Sequence, residues 1–123
     1  MVMVDSSSWI ESLRKTGRQE VRDRVAALLT AGEAAWCNIV RLELWNGARG
    51  VAEKKALKEL EADVRNLPID DEVWERSIDL AIRARAAGMS VPVGDLIIMA
   101  CARRHDVGLE HCDDHMRLLG AIA

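Results

Sequence analysis

Met1-Val2-Met3-Val4-Asp5-Ser6-Ser7-Ser8-Trp9-Ile10 opens the chain and decides its reading. Four apolar residues, two of them β-branched, make a short strand that begins at the first residue, as a central parallel strand often does. Asp5 stops it. Ser6–Ser8 then offer caps for a helix that carries Trp9, Ile10 and Leu13. Strand, acid and helix in that order put a carboxylate beyond the carboxyl end of a strand, where open α/β sheets bind ligands.

Outward from this start, elements alternate. Gly17 breaks the first helix. Gln19–Ala31 reads as a second, with Val21, Val25, Leu28 and Leu29 at helical spacing and Gly32 closing it. Ala34–Asn38 is a short buried strand, and Ile39–Arg49 a helix ending near Gly47 and Gly50. Over Val51–Leu67 the stripe Leu57, Leu60, Val64, Leu67 predicts an amphipathic helix, with Lys55–Glu59 and Glu61–Arg65 pairs on its exposed side. Pro68 ends it, and Leu67–Ile69 makes a tiny strand. Asp70–Ala87 is a long helix, capped by Asp70 or Asp71, with Val73, Ile78, Ala81 and Ile82 inward and Gly88 after it. Ser90–Gly94 is a loop. Asp95–His105, apolar almost all round, is a buried helix; Val107–Cys112 is a strand and His115–Ala123 a last helix or tail. Short strands alternating with helices specify an α/β fold on a small parallel sheet, and a length of 123 residues specifies one domain, 1–123.

Composition narrows the function. A formal net charge of −3 excludes a sequence-blind nucleic-acid coat, which is basic overall. Arginine outnumbers lysine, which suits local bidentate phosphate contacts and equally ordinary ion pairs. Cys37, Cys101 and Cys112 are odd in number and lack C-x-x-C spacing, as reduced thiols of a reducing compartment would. No apolar run reaches roughly 18 residues and no signal-type segment opens the chain, so the expectation is a cytoplasmic protein with no membrane partner.

Four acids stand beside core-forming segments, where a lone carboxylate is costly to desolvate: Asp5, Glu43, Asp95 and Asp113. Each has an ordinary alternative. Asp5 and Asp95 can be helix caps, Asp113 and Asp114 a solvated turn, and Glu43 a boundary residue whose charge reaches water. Yet Glu43 has Ile39, Val40, Asn46 and Gly47 as its helical neighbours, with no basic partner. Gly94 before Asp95 permits close backbone approach. Three of the acids map to strand ends or helix starts on one sheet edge, and the fourth to a helix that can pack over it. All-oxygen ligands favour Mg²⁺ or Mn²⁺ over zinc, despite the flanking His111 and His115. Two such ions about 3.5–4 Å apart activate water and stabilise the leaving oxygen of a phosphodiester. Ser7 is placed to hydrogen-bond a carboxylate, or to cap the helix.

Val4-Asp5-Ser6-Ser7-Ser8-Trp9-Ile10, Arg41-Leu42-Glu43-Leu44, Val93-Gly94-Asp95-Leu96-Ile97-Ile98-Met99-Ala100 and His111-Cys112-Asp113-Asp114-His115-Met116 together resemble the four motifs of the PIN-domain ribonucleases, in order and over essentially the whole chain. The pattern is most similar to the VapC toxins of bacterial type II toxin–antitoxin modules. The resemblance implies a three-layer α/β/α sandwich and Mg²⁺- or Mn²⁺-dependent endoribonuclease activity on RNA such as tRNA or rRNA. It also implies a homodimer and neutralisation by a VapB-type antitoxin. The acidic quartet carries over to Asp5, Glu43, Asp95 and Asp113 as catalytic and metal-ligating residues. Asp114 falls on a variable position and His115 on one that orients the site. Met116 replaces the aromatic of the closing motif, and no final edge strand is evident after Leu119. An antitoxin helix or strand would dock in a groove of Trp9, Trp45 and the Val51–Leu67 helix.

Three rivals are considered. A receiver-type signalling domain needs paired acids after its first strand and a late lysine, whereas Ser6 and Ser7 follow Asp5 and no lysine lies beyond Lys58. A haloacid-dehalogenase-type phosphatase needs a second Asp where Ser7 stands. A PIN-like scaffold that only binds a partner would not need the intact acidic set.

Overall fold

The computed structural model describes residues 1–123. Eleven elements follow in the order β1 (Val2–Val4), α1 (Ser6–Leu13), α2 (Gln19–Thr30), β2 (Ala34–Trp36), α3 (Asn38–Gly47), α4 (Gly50–Asp63), β3 (Arg65–Asn66), α5 (Asp71–Ala86), α6 (Val93–Arg104), β4 (Gly108–Glu110) and α7 (Asp114–Ile122). The four strands form one sheet of order β3-β2-β1-β4, with every pairing parallel. Receiver-type domains have the order 2-1-3-4-5, so that rival fails on topology.

β1 is central, as its apolar run predicts. Met3 and Val4 are wholly buried, Met3 lies opposite both Ala35 and Leu109, and Val2 N donates to Glu33 O at 2.8 Å. α1 packs with α2, while α5, α6 and α7 pack together; α3 touches both α1 and α6, giving helical layers around a thin sheet. The core runs continuously from Trp9 and Trp36 (centroids 5.7 Å apart) through Leu57 to Ile98, Met99 and Leu119. α6 is buried from Leu96 to Ala102, as its all-round apolar sequence requires.

Some boundaries differ from expectation. α4 stops at Asp63, and Val64 turns extended (φ −88°, ψ 127°). Val64 and Leu67 are buried, but on either side of an edge strand: Arg65–Asn66 pairs with β2 and Leu67 N donates to Trp36 O at 2.8 Å. Pro68 disfavours helical geometry at Leu67 and the β-branched Val64 favours an extended chain, so the sheet takes the last turn of the apparent stripe. The strand therefore precedes the expected Leu67–Ile69. Arg65 leaves Glu61, whose carboxylate instead accepts from Arg41 (2.8 Å) and Trp45 Nε1 (2.9 Å), clamping α4 to α3.

In α5 the inward face is Val73, Ser77, Leu80 and Ala84, whereas Ile78 and Ile82 point to solvent. Asp70 is the cap, accepting from Val73 N at 3.0 Å. β4 is shorter than Val107–Cys112, and α7 starts at Asp114 with Asp113 as its cap. All three cysteines are free. No helix is long and apolar enough to cross a membrane.

Candidate active site

The chain runs from β1 outward to β2 and β3, then returns to the other side of β1 with β4. That reversal makes the carboxyl ends of β1 and β4 the crevice of the sheet. Asp5 follows β1 and Asp113 follows shortly after β4, so the crevice receives one acid from each side. α6 brings Asp95 and α3 brings Glu43 to the same place.

Asp5 fills the structural role its position suggests and keeps one oxygen free of it. It is the N-cap of α1: its Oδ2 accepts from Ser7 N at 3.4 Å and from Ser7 Oγ at 2.6 Å. Ser7 Oγ in turn accepts from Cys112 N at 3.3 Å, tying the β4–α7 loop to the same carboxylate. Only 2% of Asp5 is exposed, and its Oδ1 is buried with no hydrogen-bond partner. A buried carboxylate oxygen with nothing to bond is costly unless a cation meets it.

Asp95 stands in the first turn of α6, with Pro92 rather than Asp95 at the cap, so its carboxylate is not committed to capping. Asp113 caps α7, accepting from His115 N at 2.7 Å, and His115 Nδ1 lies 3.5 Å from the same oxygen. Ligand atoms of Asp95, Asp113 and His115 all fall within 4.8 Å of one another. Glu43 is held from across the crevice by Ser6 Oγ, which donates to it at 3.4 Å. A methyl on Gly94 would sit 3.6 Å from Glu43 Oε2 and 3.5 Å from Ile39, an ordinary contact, so α6 does not approach α3 closely enough to demand glycine there.

Electrostatics join the four acids. Desolvation raises the Asp5 carboxyl above its usual range against the bonds from Ser7, and Asp113 adds to the rise. Glu43 is raised by desolvation, then by Asp5 and Asp95. Asp95 is pushed up to about 6 by desolvation, then by Asp5 and Asp113, with His115 opposing. Mutual repulsion in a half-buried crevice, with no arginine or lysine among the acids, is the field a divalent cation neutralises. The donor set, carboxylates with one imidazole at the rim, fits such an ion.

Two features were not singled out in the sequence. Ser6 bonds to Glu43. Arg14 and Arg18, in the corner between α1 and α2, line two clefts that share Ile10: Arg14 the one containing Glu43, Arg18 the one containing Ser7, Asp113 and His115. Their signal was local, two arginines bracketing Gly17 just after the first motif. Asp114, in contrast, is solvent-facing and paired with Arg117 at 3.6 Å. Trp9 is fully buried and lines no groove; Trp45 and Val51 do, with Lys54, Lys55 and Lys58.

The PIN domain profile matches residues 2–121. Ribonuclease VapC11 of Mycobacterium tuberculosis is 30% identical over 126 residues, covering 99% of this chain and 93% of its own length. Ribonuclease VapC18 of the same organism is 29% identical over 123 residues, with 97% and 87% covered. Solved structures repeat the fold. A chain of VapBC-1 from nontypeable Haemophilus influenzae superposes with a TM-score of 0.76 at 19% identity, covering 99% of this chain and 94% of that one. A chain of FitAcB from Neisseria gonorrhoeae gives 0.74 at 18%, covering 100% and 95%. Profile, end-to-end relatives and fold agree, and the chain belongs to the PIN domain family, alongside the VapC ribonucleases.

Proposed function

We propose that this chain, as a single domain spanning 1–123, is an endoribonuclease toxin dependent on Mg²⁺ or Mn²⁺. Asp5, Glu43, Asp95 and Asp113 are its metal ligands, and a VapB-type antitoxin restrains it. The observation that carries this reading is the buried, unpartnered Oδ1 of Asp5 at the centre of three other acids, two of which share its raised pKa. The ribonuclease names of the relatives support the substrate class. When bound, a divalent cation there supplies Lewis-acid activation of water and neutralises charge on the phosphodiester.

The protein's own groups do the positioning. Ser7 holds the Asp5 carboxylate through Oδ2 and leaves Oδ1 without a hydrogen bond. Ser6 orients Glu43, and the α7 N-terminus orients Asp113. Arg14 and Arg18 flank the acids and are suited to hold the RNA backbone on either side of the cut. The Trp45 and Val51 cleft with its three lysines suits an antitoxin segment of apolar and acidic character. As its resemblance implies, the chain acts as a homodimer.

The test is incubation of purified chain with a mixed tRNA and rRNA pool, in Mg²⁺ or Mn²⁺ and then in EDTA, beside Asp5→Asn. Discrete products that need the metal and vanish in the variant are expected. A folded, antitoxin-free protein that cuts nothing with either ion would favour a non-catalytic scaffold.

A further inference from the structure

Of the two strands that lead into the crevice, β4 is the weaker support. It is three residues long and lies at the edge of the sheet, paired with β1 alone. Gly108-Leu109-Glu110 carries a single apolar side chain, which specifies its register weakly. Asp113 stands three residues beyond this strand, so its place opposite Asp5 needs a further hold on the end of β4.

Glu110 supplies it. It lies opposite Val4, and its backbone O accepts from Asp5 N at 2.9 Å. Its side chain is only 12% exposed, an unusual place for a carboxylate in a strand. Oε1 accepts from Arg24 Nε of α2 at 2.6 Å, and Oε2 from Ser8 Oγ of α1 at 3.1 Å. Ser8 is wholly buried. Both oxygens of Glu110 are engaged, whereas Asp5 keeps Oδ1 free, which separates Glu110 from the acids of the crevice. Two residues on, Cys112 N donates to Ser7 Oγ, which also bonds Asp5 Oδ2. Asp5, Ser7 and Ser8 are thus each bonded to Glu110 or Cys112. Among these bonds the Glu110 carboxylate alone brings in a third element, α2, through a charge-assisted contact.

We infer that Glu110 is a positioning residue of the crevice: clasped by Arg24 and Ser8, it holds the end of β4 against β1 and so sets Asp113 relative to Asp5. The inference rests on the metal-dependent reading above and adds to it a residue that acts through other side chains. Its effect can be read from metal affinity and backbone exchange, without cleavage.

The experiment titrates the purified full chain with Mn²⁺ alone, the free ion being read by its electron paramagnetic resonance signal, and follows amide exchange in the metal-free protein. Glu110→Met keeps the bulk and removes both side-chain bonds. Apolar bulk in place of a buried ion pair is often neutral for stability, so this variant should melt near wild type. It should nevertheless bind Mn²⁺ about 10–100-fold more weakly, as when a group that orients metal ligands is lost. Its Asp5 and Cys112 amides should exchange at least about tenfold faster, while the Met99 amide in α6 keeps its protection. Glu110→Gln retains an acceptor for Arg24 and offers a donor to Ser8 Oγ, and should bind Mn²⁺ within about threefold of wild type. Arg24→Ala changes only a half-exposed side chain and should weaken binding about threefold to tenfold. A wild type that binds no Mn²⁺ would overturn the metal reading and this inference together. A wild type that binds, beside a Glu110→Met that binds equally well, would overturn this inference alone; should that variant not fold, unchanged affinity in Arg24→Ala would do the same. A Glu110→Gln as weak as Glu110→Met would overturn positioning as the cause, because its bonds are kept.

Discussion

Asp5 shows how one side chain can serve two readings of a sequence. Its cap bonds occupy Oδ2 and leave Oδ1 without a partner, so the cap says nothing against the proposed metal ligation. Replacing Asp5 or Asp95 by Asn should keep the fold and lower RNA cleavage by more than about 100-fold, since even partners that merely orient metal ligands are worth 10–100-fold. Ser7→Ala is such a case and should lose about 10–100-fold in activity while leaving product identity unchanged. Asp95 also makes a pH prediction. Its folded pKa, about 6, exceeds its ordinary value of 3.8, so between these the folded state binds more protons than the unfolded one and metal-free stability falls as pH rises. Below pH 4 this loss is absent; above pH 6 it is complete. Asp95→Asn should therefore melt higher than metal-free wild type at pH 7.5, with the gap closing towards pH 4. A gap that does not depend on pH would show that repulsion among the acids is not its cause. Metal binding must displace the same protons, so wild type should also need more Mn²⁺ for half-maximal cleavage at pH 5.5 than at pH 7.5.

At the scale of elements, the sequence was legible wherever one strong local signal acted alone. Met1–Val4, the breaks at Gly17, Gly32 and Gly88, and the buried apolar run of α6 fall where their residues put them, although α6 itself starts at Val93, two residues before Asp95. It was illegible where tertiary structure claimed residues that local periodicity assigned elsewhere. Val64 and Leu67 continue the helical stripe of Leu57 and Leu60, yet β2 needs an edge partner and takes the segment. Ile78 and Ile82 are apolar at helical spacing and were read as core, but periodicity cannot say which of two apolar stripes faces inward. The four acids that converge were legible because charge beside an apolar run is anomalous; Ser6, Arg14 and Arg18 were not, because serine and arginine in a helix start or a loop are ordinary. The corner that holds both arginines depends on Gly17, where a Cβ would overlap the Glu11 carbonyl oxygen. Gly17→Ala should cost roughly 1–3 kcal/mol in thermal or urea unfolding, because the neighbour in the way is backbone and has little freedom to move. An alanine variant of unchanged stability would mean that α1 ends differently in solution.

Over the whole molecule, charge sets how RNA is met. The chain is acidic, with a net charge of −3, and the crevice proposed to react with a polyanion is itself lined by acids. On the proposed reading, attraction comes from few, local groups: a cation held by the acids and the arginines of the α1–α2 corner. Arg18 is half-exposed and only loosely tied to Glu11 at 3.7 Å, and so is available to a phosphate. For single-stranded RNA each phosphate neutralised by a side chain adds about 0.7 to the slope of log affinity against log salt. Binding by this protein should accordingly be far less salt-sensitive than that of a basic nucleic-acid coat. Arg14→Ala and Arg18→Ala should each flatten the slope by about 0.7, raise KM and leave kcat nearly unchanged, because they hold ground state and transition state alike. Arg76→Ala, on α5 and paired with Glu72, is the control and should change neither. The measurement is the initial rate of cleavage of a short labelled RNA over a KCl series. If the two corner variants matched Arg76→Ala in slope and in KM, the backbone would not run past the α1–α2 corner, and the polyanion would be held chiefly through the cation in the crevice.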